Sequence, residues 1–277
     1  KIKICLIKAM ESMYIESPQN NHVKNLVKLR DRKHRNRQDK FIIEGLREIQ
    51  HAIDSNYPVV TIYYCPELFP SESHSQFLDL LKAKGQPQCI RMHTSAFSKS
   101  SYREGPDGLI ALSEVKEMSL STLMLKENST LLILEGIEKP GNLGAIIRSA
   151  EGAGVDAILL NNCLLDAYNP NAIRASQGLV FRLPIINVET DYLLKWLKEH
   201  QFVSIATTPK TDNCYSKQSY SQRTALLMGS ESHGLSEKWL NQADYLINIP
   251  MKGHADSLNV SVATAICLYE INRQNSL

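Results

Sequence analysis

Leu131-Leu132-Ile133-Leu134, Glu138-Lys139-Pro140-Gly141-Asn142-Leu143-Gly144-Ala145-Ile146-Ile147-Arg148-Ser149-Ala150 and Ala157-Ile158-Leu159-Leu160 follow one another along the chain. The two short apolar runs read as strands and the segment between them, 142–153, as a helix. Asn142 is placed to cap that helix, and Gly144, Ala145, Ala150 and Ala153 let it lie close to a sheet. The same alternation continues toward the carboxyl end: helix 171–176, strand 184–188, helix 192–200, strands 202–206, 225–228 and 245–249, a helix near 235–243 and a last helix over 258–273. Strands alternating with helices imply a doubly wound α/β domain over 131–277. From Val260 to Tyr269 only Ser261 and Thr264 are polar, so the last helix lacks a hydrophilic face. It is expected to be covered on nearly all sides, inside its own domain or by a second subunit.

Toward the amino end, 113–130 is polar and reads as a linker. Before it a smaller series runs: a basic helix from Ser17-Pro18 to about Arg35, strand 41–43 stopped by Gly45, helix 46–53, strand 59–64, a helix ended by Gly85, and strands 89–92 and 109–112. This predicts a second, small α/β domain over 17–112. Residues 1–16 are an extension of unknown role, with Met10 and Met13 as candidate starts.

With 277 residues, 43% of them hydrophobic, the chain can bury one large core or two ordinary ones, which excludes a disordered or collagen-like protein. Net charge is only +2, but 24–40 holds eight Lys and Arg against two Asp. That segment is therefore +6 in an otherwise acidic chain, either a solvated helix face or a footprint for RNA phosphates. Six scattered cysteines, without a CxxC pair or a Cys/His cluster, indicate neither a disulfide framework nor a zinc site and suit a reducing cytoplasm. No apolar run approaches the roughly 20 residues of a membrane span, and residues 1–10 do not read as a secretory leader.

Ligands of open α/β sheets gather where strands end. Three loops there carry candidate chemistry: 138–150, Gly229-Ser230-Glu231-Ser232-His233-Gly234, and Ile249-Pro250-Met251-Lys252-Gly253-His254-Ala255-Asp256-Ser257-Leu258-Asn259-Val260-Ser261. None is a dinucleotide fingerprint or a Walker A loop. Taken singly, Arg148 reads as a solvated helix cation, Asn142 as a cap and the second loop as a glycine turn.

Taken in order, Asn-x-Gly-Ala-Ile-x-Arg-Ser-Ala, Gly-x-Glu-x-x-Gly and Ile-Pro-Met-x-Gly-x-x-x-Ser-Leu-Asn-Val-Ser-Val-Ala resemble the three signature motifs of SpoU-type (TrmH-like) RNA 2′-O-ribose methyltransferases of the SPOUT superfamily. Asn169-Pro170 through Arg174-Ala175-Ser176-Gln177-Gly178 looks like a further family element. Phe41-Ile42-Ile43-Glu44-Gly45-Leu46-Arg47 and Gly108-Leu109-Ile110-Ala111 resemble the ribosomal-protein-like substrate-binding domain that precedes the catalytic domain in many members. Ser232 stands where the family often has glycine.

The resemblance implies an α/β chain with a carboxyl-terminal SPOUT domain, its parallel sheet closed by a deep trefoil knot, working as a homodimer. It implies S-adenosylmethionine as cofactor, held by backbone groups around Thr207, Thr208, Met228, Gly229, Ile249, Met251 and Leu258, and no metal. Arg148 would serve the 2′-hydroxyl, as a clamp rather than a base because guanidinium stays protonated. Asn142 and Glu231 would organise the pocket, and Ser257 and Asn259 would orient the nucleophile. Arg30, Arg32, Lys33, Arg35, Arg37, Lys40 and Arg174 would contact RNA, ribosomal RNA favoured over transfer RNA. The alternative is a catalytically inactive RNA-binding protein that retains the fold.

Overall fold

The computed structural model describes residues 13–163, 165–220 and 222–275. Residues 1–12, most of the expected extension, lie outside the described residues. The chain divides between Lys116 and Glu117 into two compact units.

The amino-terminal unit contains β1 (Tyr14–Ile15), α1 (Asn21–Lys28), α2 (Arg32–Gln38), β2 (Lys40–Glu44), α3 (Leu46–Asp54), β3 (Val59–Tyr64), α4 (Glu72–Lys84), β4 (Gln88–Met92), α5 (Thr94–Ser100) and β5 (Leu109–Glu114). The strands form one mixed sheet in the order β1-β4-β3-β5-β2, with β5 antiparallel to both its neighbours. Val23 and Leu26 of α1 and Phe97 of α5 join Ile42, Ile90 and Ile110 of the sheet in one core. Ile15, read as part of an extension, is also in that core, because β1 adds a parallel edge strand to β4.

The single basic helix expected up to Arg35 is two helices. Leu29 closes α1, and the Asp31 side chain accepts from the Lys33 N–H at 2.8 Å to open α2. Arg35, 3% exposed, points back and donates from Nη1 to the carbonyls of Leu29 at 3.0 Å and Arg30 at 2.7 Å. A charged side chain thus satisfies the open end of α1, which is what permits the break.

The second unit contains β6 (Ser129–Glu135), α6 (Pro140–Gly152), β7 (Ala157–Asn161), α7 (Pro170–Ala175), β8 (Ile185–Asn187), α8 (Thr190–Glu199), β9 (Val203–Thr207), β10 (Arg223–Met228), α9 (Glu237–Gln242), β11 (Tyr245–Ile247) and α10 (Val260–Asn275). Its six strands are all parallel in the order β11-β9-β10-β6-β7-β8. Strands covered on both faces need no polar alternation, which is why Leu131, Leu132, Ile133 and Leu134 are all buried. The segment read as a linker is partly core: Leu120 is buried, and Met118, Leu123 and Leu125 pack against the cluster around Trp196 and Trp239.

The last helix, α10, is covered less completely than its composition predicts. Val260, Thr264, Cys267, Leu268 and Ile271 are buried, whereas Val262 is 47% and Tyr269 54% exposed. Seven residues is nearly two full turns, so these two share one outward stripe. Thr264 reconciles its hydroxyl with burial by donating to the Val260 carbonyl at 2.7 Å.

Candidate active site

Sheet register sets the frame of the site. Met228 pairs with Leu134, Leu227 with Ala206, and Thr207 with Ile247, so β6, β10, β9 and β11 end side by side. The loops that leave β6, β10 and β11 carry the three sequence motifs, and they meet on Glu231. Its Oε1 accepts from Asn142 Nδ2 and from Asn259 Nδ2, both at 2.8 Å, and its Oε2 from Lys139 Nζ at 2.8 Å. Asn259 Nδ2 also lies 3.3 Å from Asn142 Oδ1, closing a triangle of side chains separated widely in sequence.

Each corner is positioned by local backbone chemistry. Asn142 was expected to cap its helix; α6 instead begins at Pro140 with Lys139 in the cap position, so Asn142 lies in the first turn and its amide is turned to Glu231. Glu231 rides a tight turn in which Ser230 and Gly234 exchange N–H···O bonds of 3.1 and 2.9 Å. A side-chain carbon at Gly229 would fall 2.1 Å from the Gly234 carbonyl carbon, so that position admits only glycine. Ser232 keeps an ordinary negative φ, and serine in place of glycine leaves the turn intact. Asn259 immediately precedes α10, and its Oδ1 accepts from the Ser261 N–H at 3.0 Å and Oγ at 2.6 Å, which fixes the amide toward Glu231.

The electrostatics follow from the same contacts. The Lys139 hydrogen bond holds the Glu231 carboxyl below the ordinary carboxylate range, with burial opposing and Asn142 assisting, and Glu231 raises Lys139 in turn. Lys139 and Ser261 had no assigned role in the sequence. The signal for Lys139 was a cation at a helix amino terminus, where the helix dipole disfavours positive charge unless a carboxylate stands beside it. A cleft of about 200 Å³ opens here, lined by Gly136, Lys139, Asn142, Glu231, Ser232 and Val260 among others.

Other expected residues lie off this triangle. Arg148 is exposed, and six residues along α6 rotate it about 120° from Asn142, onto the row of Gly144. A side-chain carbon at Gly144 would fall 2.3 Å from that of Ala175, so Arg148 flanks the contact between α6 and α7, whose Arg174 is also exposed. Ser257 is exposed, with no side-chain hydrogen bond among the described residues. Thr207, Thr208, Met228, Gly229 and Ile249 line the strand ends directly; Leu258 is partly buried and Met251 is 38% exposed. Thr208 N–H donates to the Ile247 carbonyl at 2.9 Å, and Thr207 Oγ1 to the Leu227 carbonyl at 2.9 Å.

The basic segment is not a uniform cationic face. Arg35 is buried in its own unit, and Arg30 Nη2 donates to the carbonyls of Lys99, Ser100 and Ser101 at 2.9, 3.0 and 2.6 Å. Both guanidiniums satisfy backbone acceptors, which corrects their reading as simple phosphate contacts. Arg32, Lys33 and Arg37 are exposed, and Lys40 faces Glu114 at 3.5 Å.

Among the described residues no group of His, Cys, Asp and Glu is placed to hold a metal ion, and no helix is long and apolar enough to cross a membrane. Residues 129–269 match the SpoU rRNA Methylase family and residues 20–111 the MRM3-like substrate binding domain. The chain is 30% identical over 258 residues to the 23S rRNA (guanosine(2553)-2'-O)-methyltransferase RlmP of Bacillus subtilis (strain 168), covering 93% of this chain and 98% of that one. An RNA 2'-O ribose methyltransferase crystal structure matches with a TM-score of 0.82 at 36% identity, covering 96% of this chain and 100% of that one. The AdoMet-bound rRNA methyltransferase from Sinorhizobium meliloti matches with a TM-score of 0.85 at 29% identity, covering 94% and 97%. Motif order, strand-end geometry and these matches agree, and the chain belongs to the SpoU rRNA methylase family.

Proposed function

We propose that this enzyme methylates a ribose 2′-hydroxyl of ribosomal RNA, in the cytoplasm and as a homodimer, using S-adenosylmethionine. The observation that carries the proposal is the meeting of three motif loops on Glu231 at the carboxyl ends of strands of one parallel sheet. The 23S rRNA named for the relative in Bacillus subtilis supports ribosomal over transfer RNA.

The strand-end loops suit the cofactor. Thr207, Thr208, Met228, Gly229, Ile249, Met251 and Leu258 bring no fixed charge, as fits a ligand without phosphate. Between Ile247 and Ile249, Asn248 Oδ1 is buried without a hydrogen-bond partner among the described residues, an acceptor ready for a ligand that brings amines and hydroxyls. When bound, S-adenosylmethionine supplies a sulfonium methyl group already activated by its charge. The protein then has to fix the hydroxyl in line and keep water out. Glu231, clamped by Lys139, holds Asn142 and Asn259 at the mouth of the cleft, with Ser257 on the same loop as Asn259. Arg148 stands around α6 from that cluster with an exposed guanidinium, and its assigned role is a clamp on the adjacent phosphate or the developing alkoxide, the proton leaving to phosphate or water. Arg148→Lys keeps the charge and loses the fork; near-normal turnover would exclude the clamp.

The exposed stripe of Val262 and Tyr269 supports dimerisation through α10. A final helix seated against α6 and β10, after the chain has passed the β11 edge, is compatible with the trefoil threading of the superfamily. The test is to incubate the full chain with ribosomal RNA and labelled S-adenosylmethionine, digest to nucleosides and locate the label by mass spectrometry. A 2′-O-methyl nucleoside is expected. A base-methylated product, or none, would overturn the assignment.

A further inference from the structure

Loop 101–108, between α5 and β5 in the amino-terminal unit, is held by three carboxylates. Glu44 accepts from Ser101 Oγ and, at 2.8 Å, from the Tyr102 N–H. Glu48 pairs with Arg103 Nη2 at 2.8 Å and faces Arg47 Nη2 at 3.5 Å. Asp107 accepts from the N–H groups of Leu46 at 3.0 Å and Leu109 at 3.2 Å. Glu44 and Glu48 are 8% and 3% exposed, and burying such groups is costly unless they are paired this fully. Gly45, at φ +109°, lies under the Arg103 guanidinium, where a side-chain carbon would fall 2.7 Å from Nη1.

This framework fixes a loop that exposes the Tyr102 ring next to Arg103, with the Arg30 guanidinium brought to that ring from the turn between α1 and α2. Tyr102 is 39% exposed, and the Arg30 guanidinium, anchored by three carbonyls, lies 5.8 Å from its ring centroid. Arg47, with a side chain 54% exposed, and Arg103 converge on the same Glu48 oxygen. We propose that Tyr102, backed by Arg30 and flanked by Arg47 and Arg103, is a stacking platform for an unpaired base of the RNA substrate. A rigid ring with a cation beside it offers a base face a partner, and the neighbouring guanidiniums take the backbone phosphates. A duplex keeps its base faces inside the stack and cannot use the ring. The platform rests on the proposed RNA substrate and extends it, since it selects single-stranded or looped RNA.

The test titrates the full-length protein, at fixed salt, with a fluorescent single-stranded RNA and with a duplex of the same composition, read by anisotropy. Tyr102→Leu is expected to weaken single-stranded binding by about 5- to 100-fold and to leave duplex binding unchanged, whereas Tyr102→Phe keeps both. Wild-type affinity for single strands in Tyr102→Leu, or equal losses for single strands and duplex, would overturn the platform. If Tyr102→Leu fails to fold, Arg47→Gln serves: a several-fold weaker single-stranded affinity with a flatter salt dependence is expected, and unchanged binding would overturn the proposal. Calorimetry of the wild-type protein with S-adenosylmethionine separates the two assignments, because absent cofactor binding would sink the methyl transfer and leave the stacking result standing.

Discussion

Glu48 and Glu231 each tie several side chains together, in opposite surroundings. The Glu48 side chain is 4% exposed and meets the guanidiniums of Arg103 and Arg47; that of Glu231 is 29% exposed and meets the ammonium of Lys139 and the amides of Asn142 and Asn259. The first pairing is enclosed, so removing one partner leaves desolvated charge behind. The second stands at the mouth of a cleft, where water can replace a missing partner. Burial therefore separates the two glutamates, one enclosed within its unit and one at a cleft where the proposed function has it arrange reacting groups, although both make short charged contacts.

Substitutions can break that contrast. Glu231→Ala frees Lys139, Asn142 and Asn259 together, and kcat/KM for methyl transfer should fall about 100-fold, as small misplacements of positioned groups do. Its urea midpoint should barely move, because ion pairs this exposed add little to stability. Glu48→Ala should do the reverse: urea unfolding should show a loss of about 2 kcal/mol, while calorimetric affinity for S-adenosylmethionine is unchanged.

Lys139→Met sharpens the contrast by leaving Glu231 in place. A fall of about tenfold in kcat/KM is expected, with the unfolding midpoint unaltered. The sign of the accompanying pH effect is fixed. In the folded protein the Glu231 carboxyl lies below its ordinary value of 4.5, chiefly through Lys139, so the ionised cluster persists above that depressed value and is lost as pH falls through it. Without Lys139 the acid limb of the kcat/KM profile should move to higher pH, and Lys139→Arg should move it back. The smallest effect belongs to the basic segment. Changing Arg32, Lys33 and Arg37 to Gln should flatten the salt dependence of RNA binding by about 0.7 in slope for each phosphate no longer neutralised, with stability unaltered. Arg35→Gln, by contrast, should lower stability, since that guanidinium caps α1.

Much of the carboxyl-terminal unit was legible because a parallel sheet writes itself as short apolar runs, as at Leu131 to Leu134 and Ala225 to Met228. The residues meeting at Glu231 were legible only through the joint resemblance of three loops to the SpoU motifs, since singly Asn142 reads as a cap and the loop of Glu231 as a glycine turn. What stayed hidden depends on contacts that no local pattern encodes. The break between α1 and α2 contains neither Pro nor Gly; it exists because Arg35 turns inward onto the Leu29 and Arg30 carbonyls. The short α5 escaped because its sequence, TSAFSKS, is mostly polar and presents only Ala96 and Phe97 as apolar residues to the core. Lys139 was visible as a residue but not as a partner, because its glutamate lies 92 positions away.

The turn from Ser230 to Gly234 has an evolutionary consequence. Its shape is set by main-chain bonds and two glycines, so the side chains at its tip are at liberty to vary while the carboxylate stays in register. A scaffold of this kind can retune what brushes past the cleft, one RNA context or another, without having to reinvent the chemistry underneath.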